Sequence, residues 1–125
     1  MSVPYLFKKY MDEVFTSGIG EVLCTDDGRT RSDLSKKYGS GGLMNKKKYM
    51  LSTTWNAPLE SFEDPAQFFE GKEVDGVFMW LHKAFQFFSM EPLPTFSCHD
   101  VLKNADVEGD LKRLEAHLAK SFPAI

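Results

Sequence analysis

Cysteine is scarce in this 125-residue chain: only Cys24 and Cys98 occur. Two cysteines with no paired spacing make neither a disulfide framework nor a zinc site, and free thiols are expected of both. No apolar run reaches membrane-spanning length, and no signal-peptide pattern opens the chain, so a cytoplasmic protein is expected. Basic residues number 15 against 18 acidic ones, for a net charge of −3. They are scattered, without the stripe that tracks a nucleic acid. The densest run, Lys46-Lys47-Lys48, reads as a solvated lead-in to a strand.

What is present suits one soluble domain. Hydrophobic residues make up 42% and charged residues 26%, a globular rather than a disordered balance. The length permits a single core, and one domain over residues 1–125 is expected. Pro4 followed by Phe7, Tyr10, Met11 and Val14 at helical spacing predicts a helix to about Phe15. Residues 16–46 read as a long irregular stretch. Asp26-Asp27-Gly28 signals a turn, the tip of a small hairpin, and Gly39-Ser40-Gly41-Gly42 signals a flexible loop. Tyr49 to Thr53 reads as a strand. Asp64-Pro65 predicts a short helix ending at Gly71, and residues 77–89 a helix apolar nearly all round, covered on both faces. Leu93 to Cys98 is the next strand. A last helix over 108–122 should bury Leu111, Leu114, Leu118 and Phe122. Strand, helix, strand, helix predicts parallel α/β packing.

The stretch 47–58 carries the most chemistry. A short apolar run ends in Ser52, Thr53, Thr54, Trp55 and Asn56, and Pro58 stops it, which is how the carboxyl end of a parallel strand opens onto a ligand crevice. Hydroxyl, amide and backbone N–H groups there suit the polar edge of a planar ring whose face Trp55 would cover. The plain alternative is an ordinary strand-exit turn. The glycine run 39–42 could cradle a phosphate, but it precedes a strand, whereas phosphate loops follow one. Cys98-His99-Asp100 is weak as a metal site, since no second Cys/His pair exists, and weak as a nucleophile, since adjacent strand residues point to opposite faces. His82, on an apolar helix, reads as a satisfied core or interface histidine, and His117 as a surface one.

Several runs, in order, resemble the FAD-dependent NAD(P)H-quinone reductases of the modulator of drug activity B type. They are the helix around Phe7–Phe15, then 27–31, Lys36-Lys37-Tyr38-Gly39-Ser40-Gly41-Gly42, 48–52, Thr54-Trp55-Asn56-Ala57-Pro58, 74–77 and 90–96. The resemblance implies an α/β fold: a partial flavodoxin-like parallel sheet, the second half of that fold, with flanking helices. It implies FAD as cofactor, NADPH as co-substrate, two-electron reduction of a quinone, and a homodimer. By position it assigns Thr54, Trp55, Asn56 and Ala57 to the flavin loop, Tyr38 to a flavin-site tyrosine, and Met1 to the end of an aromatic flavin loop. It leaves catalytic side chains unassigned; the hydride chemistry is the flavin's, and the protein supplies binding, orientation and electrostatics.

Two other readings come from different classes. One is a non-catalytic remnant or assembly subunit without the phosphate-binding half of the fold; the other is a binding module for small aromatics. Bound flavin separates the first of these from a reductase, and ligand binding at Trp55 without NAD(P)H turnover marks the second. Two strands alone make a marginal sheet with an open edge, so self-association as a two-fold dimer is expected.

Overall fold

A computed structural model describes residues 3–29 and 31–122. In chain order the elements are α1 (Tyr5–Ser17), β1 (Lys48–Tyr49), β2 (Ser52–Thr54), α2 (Glu60–Glu63), α3 (Glu73–Val77), α4 (Met79–Phe87), β3 (Glu91–Pro92), β4 (Phe96–Cys98) and α5 (Val107–Ser121). The chain divides into two compact units, one of residues 1–48 with 83–91, the other of 49–82 with 92–125.

In the first unit, Pro4 sits one position before the helix, and Lys8 N–H donates to its carbonyl at 3.0 Å. The helix buries Met11 and turns Phe15 edge-on to Phe85 and Phe88, at 5.6 and 4.9 Å between ring centres. The irregular stretch after it is not a free loop. Leu43 N–H donates to Leu23 O at 2.9 Å, Thr25 N–H to Gly41 O at 2.9 Å, and Gly39 N–H to Asp27 O at 2.7 Å. Residues 23–27 and 39–43 thus pair antiparallel, and the turn expected at 26–28 widens into the loop 28–38. The glycine run is one side of this ladder, which corrects its reading as a flexible loop. A methyl group on Gly42 would lie 2.2 Å from the Phe88 carbonyl carbon, and one on Gly41 would lie 2.3 Å from Asp26 O. The glycines are there because other backbone passes too close for a side chain.

The second unit is built on a parallel pair. Ser52, Thr53 and Thr54 of β2 stand opposite Phe96, Ser97 and Cys98 of β4. Each expected strand is split in two. Leu93 N–H donates to Tyr49 O at 2.7 Å and Phe96 N–H to Leu51 O at 2.9 Å. Two residues on one strand are therefore matched by three on the other, and the unpaired span holds Pro94, which has no N–H to give.

The helix expected at 64–71 falls earlier, at α2. Asp64 is extended, with φ −81° and ψ 121°, as a residue before proline must be, so the chain cannot continue helically through Pro65. Its carboxylate instead accepts from Ala66 N–H at 2.8 Å, closing a turn. The expected helix 77–89 is interrupted at Phe78 (φ −98°, ψ 18°), and its cover is one-sided: Leu81 is buried while Met79 and Trp80 are exposed. The His82 ring is satisfied at both nitrogens, with the Tyr49 hydroxyl at 2.7 Å from Nδ1 and Asp75 Oδ1 at 3.1 Å from Nε2.

The last helix packs against β4, but on a different face from the leucine stripe. Asp106 caps it, accepting from Gly109 N–H at 3.0 Å. Leu111, Leu118 and Phe122 are exposed; the covered line is Asp110, Leu114, His117 and Ser121. Polar partners set this rotation: His117 Nε2–H donates to Pro94 O at 2.9 Å, and its ring lies 5.5 Å from Phe96. His117 is therefore not the surface residue its sequence position suggested. The two-stranded sheets and their helices make an α/β fold.

Gly42→Ala should lower stability by about 1–3 kcal/mol through overpacking against the 88–89 backbone, seen as a lower urea midpoint at unchanged slope.

Candidate functional site

The parallel register carries β2 and β4 to a common carboxyl end, and the two segments that leave it are tied to each other. Trp55 N–H donates to Cys98 O at 2.9 Å, Val101 N–H donates to Trp55 O at 3.1 Å, and Asp100 N–H donates to Ala57 O at 3.3 Å. The turn 54–57 is thereby held against 98–101 on the backbone alone.

Side chains brace it from below. The Trp55 indole meets Phe62 at 4.8 Å, Phe78 at 5.5 Å and Phe69 at 6.0 Å between ring centres, and its N–H donates to Thr53 Oγ1 at 2.9 Å. Phe62 is fully buried and stacks on Phe69 at 4.1 Å. The indole therefore belongs to an aromatic cluster. Thr54 and Asn56 are exposed, and neither side chain has a partner among the described residues. Ala57 is half-buried, its carbonyl occupied.

Four of the assigned residues thus form one turn. Tyr38 belongs to the other unit, where it is 69% exposed, leans on Phe87 at 5.5 Å between ring centres and carries the Arg29 guanidinium 5.4 Å over its face. Met1 lies outside the described residues.

The sequence reading passed over Ser97. Strand alternation sets Cys98 and His99 apart and puts Ser97 and His99 on one face, a signal available from spacing alone. His99 Nε2 lies 2.9 Å from Ser97 Oγ, and Nδ1 lies 3.3 Å from Ala57 O. A carbonyl only accepts, so the neutral ring carries its proton on Nδ1 and Nε2 takes the serine proton bond. The pair steadies Ala57 and with it the turn. Cys98 faces Asp110 instead. Burial, then the Asp110 carboxylate, push its thiol above the usual cysteine range, so it stays neutral and a poor nucleophile or ligand. Among the described residues no three His, Cys, Asp or Glu side chains are grouped to hold a metal, and no helix is long and apolar enough to cross a membrane.

A strand pair with helices and a polar turn at its carboxyl end is a recurrent ligand architecture, and comparison with known families gives it a lineage. The family described as having a flavodoxin-like fold matches residues 1–121. The chain belongs to that flavodoxin-like family. It is 48% identical over 122 residues to the NADPH:quinone oxidoreductase MdaB of Haemophilus influenzae, covering 98% of this chain and 63% of that protein. It is 46% identical over 122 residues to an uncharacterised protein of Schizosaccharomyces pombe, covering 98% of this chain and 62% of that protein. The chain spans about three-fifths of the length of these curated relatives. In flavodoxin-like sheets the crevice at the strand carboxyl ends is where ligands sit, and here Thr54 and Asn56 stand at that end.

The raised Cys98 pKa has a pH signature. The folded state holds the thiol proton more tightly than the unfolded chain, so this contribution to stability is present below the unfolded pKa of about 8.5. It is lost as pH rises through the folded value. Wild type should lose stability relative to Cys98→Ser over that alkaline window, and native Cys98 should alkylate more slowly at pH 8 than in the denatured chain.

Proposed function

We propose that this chain forms part of an FAD-dependent NAD(P)H:quinone oxidoreductase, with Thr54, Trp55, Asn56 and Ala57 as the turn that meets the flavin. The carrying observation is the pair of unpartnered polar side chains, Thr54 and Asn56, on a backbone-pinned turn at the carboxyl end of a parallel strand. That turn lies within the segment nearly half identical to a protein named as an NADPH:quinone oxidoreductase, which supports the reading. The single family match over residues 1–121 supports taking both units as one flavodoxin-like domain.

A bound flavin supplies the hydride acceptor and the two-electron donor. The chain's own residues supply position. The Thr54 hydroxyl and Asn56 amide would hold the polar edge of the ring, and the Trp55 cluster holds the turn in place. Tyr38, with an exposed ring, is the aromatic assigned to the flavin site by family position, and Met1 completes the set in the same way. We take the cytoplasm as its setting, which its free thiols Cys24 and Cys98 suit. A two-fold homodimer is the proposed assembly, supported by the exposed Tyr5, Leu6 and Tyr10 on α1.

Titration with FAD, followed by tryptophan fluorescence, tests the turn. Thr54→Val and Asn56→Ala should each weaken flavin binding by about three- to tenfold, the worth of one hydrogen bond. Cys98→Ser should leave it unchanged. A protein that takes up no flavin, or one in which only Cys98→Ser matters, would overturn the assignment.

A further inference from the structure

Thr95, Ser97 and His99 alternate along β4 and its flanking residues, and they carry more chemistry than bracing a turn requires. Ser97 Oγ–H donates to His99 Nε2 at 2.9 Å, and His99 Nδ1–H donates to Ala57 O at 3.3 Å. Phe62 meets the imidazole edge-on at 5.2 Å between ring centres. A hydroxyl bonded to a base, whose other nitrogen is held by an acceptor, is the arrangement of an activated nucleophile.

Two further observations lie outside that pair. Thr95 and Ser97 both line a depression of about 170 Å³. The Thr95 hydroxyl oxygen is buried and has no hydrogen-bond partner. A buried hydroxyl is seldom left unpaired, and this one has a proton to give. Residues two apart on a strand stand about 7 Å apart, a spacing that admits one carbonyl group between their hydroxyls. The second observation is charge. Glu63, Glu73 and Asp75 line the same depression, beside the apolar Leu59 and Val74. Asp75 is engaged by His82 Nε2 at 3.1 Å, whereas Glu63 and Glu73 have no cationic partner among the described residues.

We propose that Ser97 is a nucleophile for small carboxylic esters of positively charged alcohols, with His99 as general base and Thr95 as the donor to the carbonyl oxygen. Ser97 Oγ bonds to the acyl carbon as its proton passes to His99 Nε2. The negative charge that develops on the carbonyl oxygen is taken by the Thr95 hydroxyl. The bond from the acyl carbon to the alcohol oxygen then breaks, and the proton on Nε2 goes to the departing oxygen. Water repeats the sequence on the acyl-serine, which releases the carboxylic acid and restores Ser97. Ala57 O holds the Nδ1 proton throughout, so the ring presents the same nitrogen at each transfer. Glu63 and Glu73 attract the cationic alcohol, and the small volume limits the acyl group to a short chain.

Hydrolysis of the thioester probe acetylthiocholine by the whole chain without flavin, followed by thiol release, tests this. Its uncharged isostere, with carbon in place of the quaternary nitrogen, runs beside it. Acetylthiocholine should be cleaved about tenfold faster than the isostere, the worth of one screened charge contact. Acid quenching and peptide mapping of the wild-type chain should find the acetyl group on Ser97, which a purely structural Ser97–His99 pair would not give. Ser97→Ala should abolish thiol release, and His99→Gln and Thr95→Val should each slow it by about a hundredfold. Ser52→Ala, outside the depression, should leave it unchanged. An acetyl group found only on lysine or cysteine, release unmoved by Ser97→Ala, or equal rates for the two esters overturns the proposal. The readout involves neither flavin nor NAD(P)H, so its failure would leave the reductase reading standing.

Discussion

The register of β2 against β4 is the constraint on which the second unit depends. Ser52 opposite Phe96 fixes Thr54 opposite Cys98, and from there each outgoing segment has one place to go. The backbone bonds between 55–57 and 98–101 follow from that register, since a one-residue slip would face donor with donor and send Phe96 to the wrong side of the ribbon. The turn that presents Thr54 and Asn56 is thus a consequence of strand pairing more than of its own sequence. A parallel pair this short is weak by itself. Burial of Phe62, Phe78, Leu81 and Phe96 around it supplies what the few ladder bonds cannot.

The first unit solves a different problem. A stretch of about thirty residues without regular elements would lose entropy for little return. Antiparallel bonds at 23–43, 25–41 and 27–39 return some of it, and they need backbones close enough that side chains are excluded at 41 and 42. The fully buried Cys24 sits in the middle of this closure, a position its small apolar side chain suits.

Much of this was legible in the sequence where local pattern and tertiary environment agree. The first helix, the parallel strands around 52–54 and 96–98, and the satisfied state of His82 followed from spacing and residue type. The misreadings have identifiable causes. Glycine reports permissiveness, and permissiveness serves a tight ladder as well as a free loop, so the 39–42 run misled. Asp-Pro marks either the start of a helix or the residue at which one must stop, and at 64–65 the second meaning held. The leucine stripe of α5 predicted a face by hydrophobicity alone. The helix is instead rotated towards Asp110 and His117, whose partners, Cys98 and the Pro94 carbonyl, lie more than ten residues away and leave no periodic trace. The aromatic setting of Trp55, edge-on to Phe62 and Phe69 and tilted against Phe78, left no local trace either, since its neighbours lie well along the chain.

That last placement has an evolutionary side. The side chains that set the height and tilt of the turn at 54–57 are Phe62, Phe69 and Phe78, which stand behind it and present nothing to a ligand. A lineage that changes Thr54 or Asn56 must keep or re-tailor this aromatic backing in step, because a smaller ring at 62 lets the indole drop and carries both residues with it. Substitutions at 62, 69 and 78 should therefore covary with those at 54 and 56, and drift at the backing positions offers a route by which the presentation of the turn can change while its own residues stay the same.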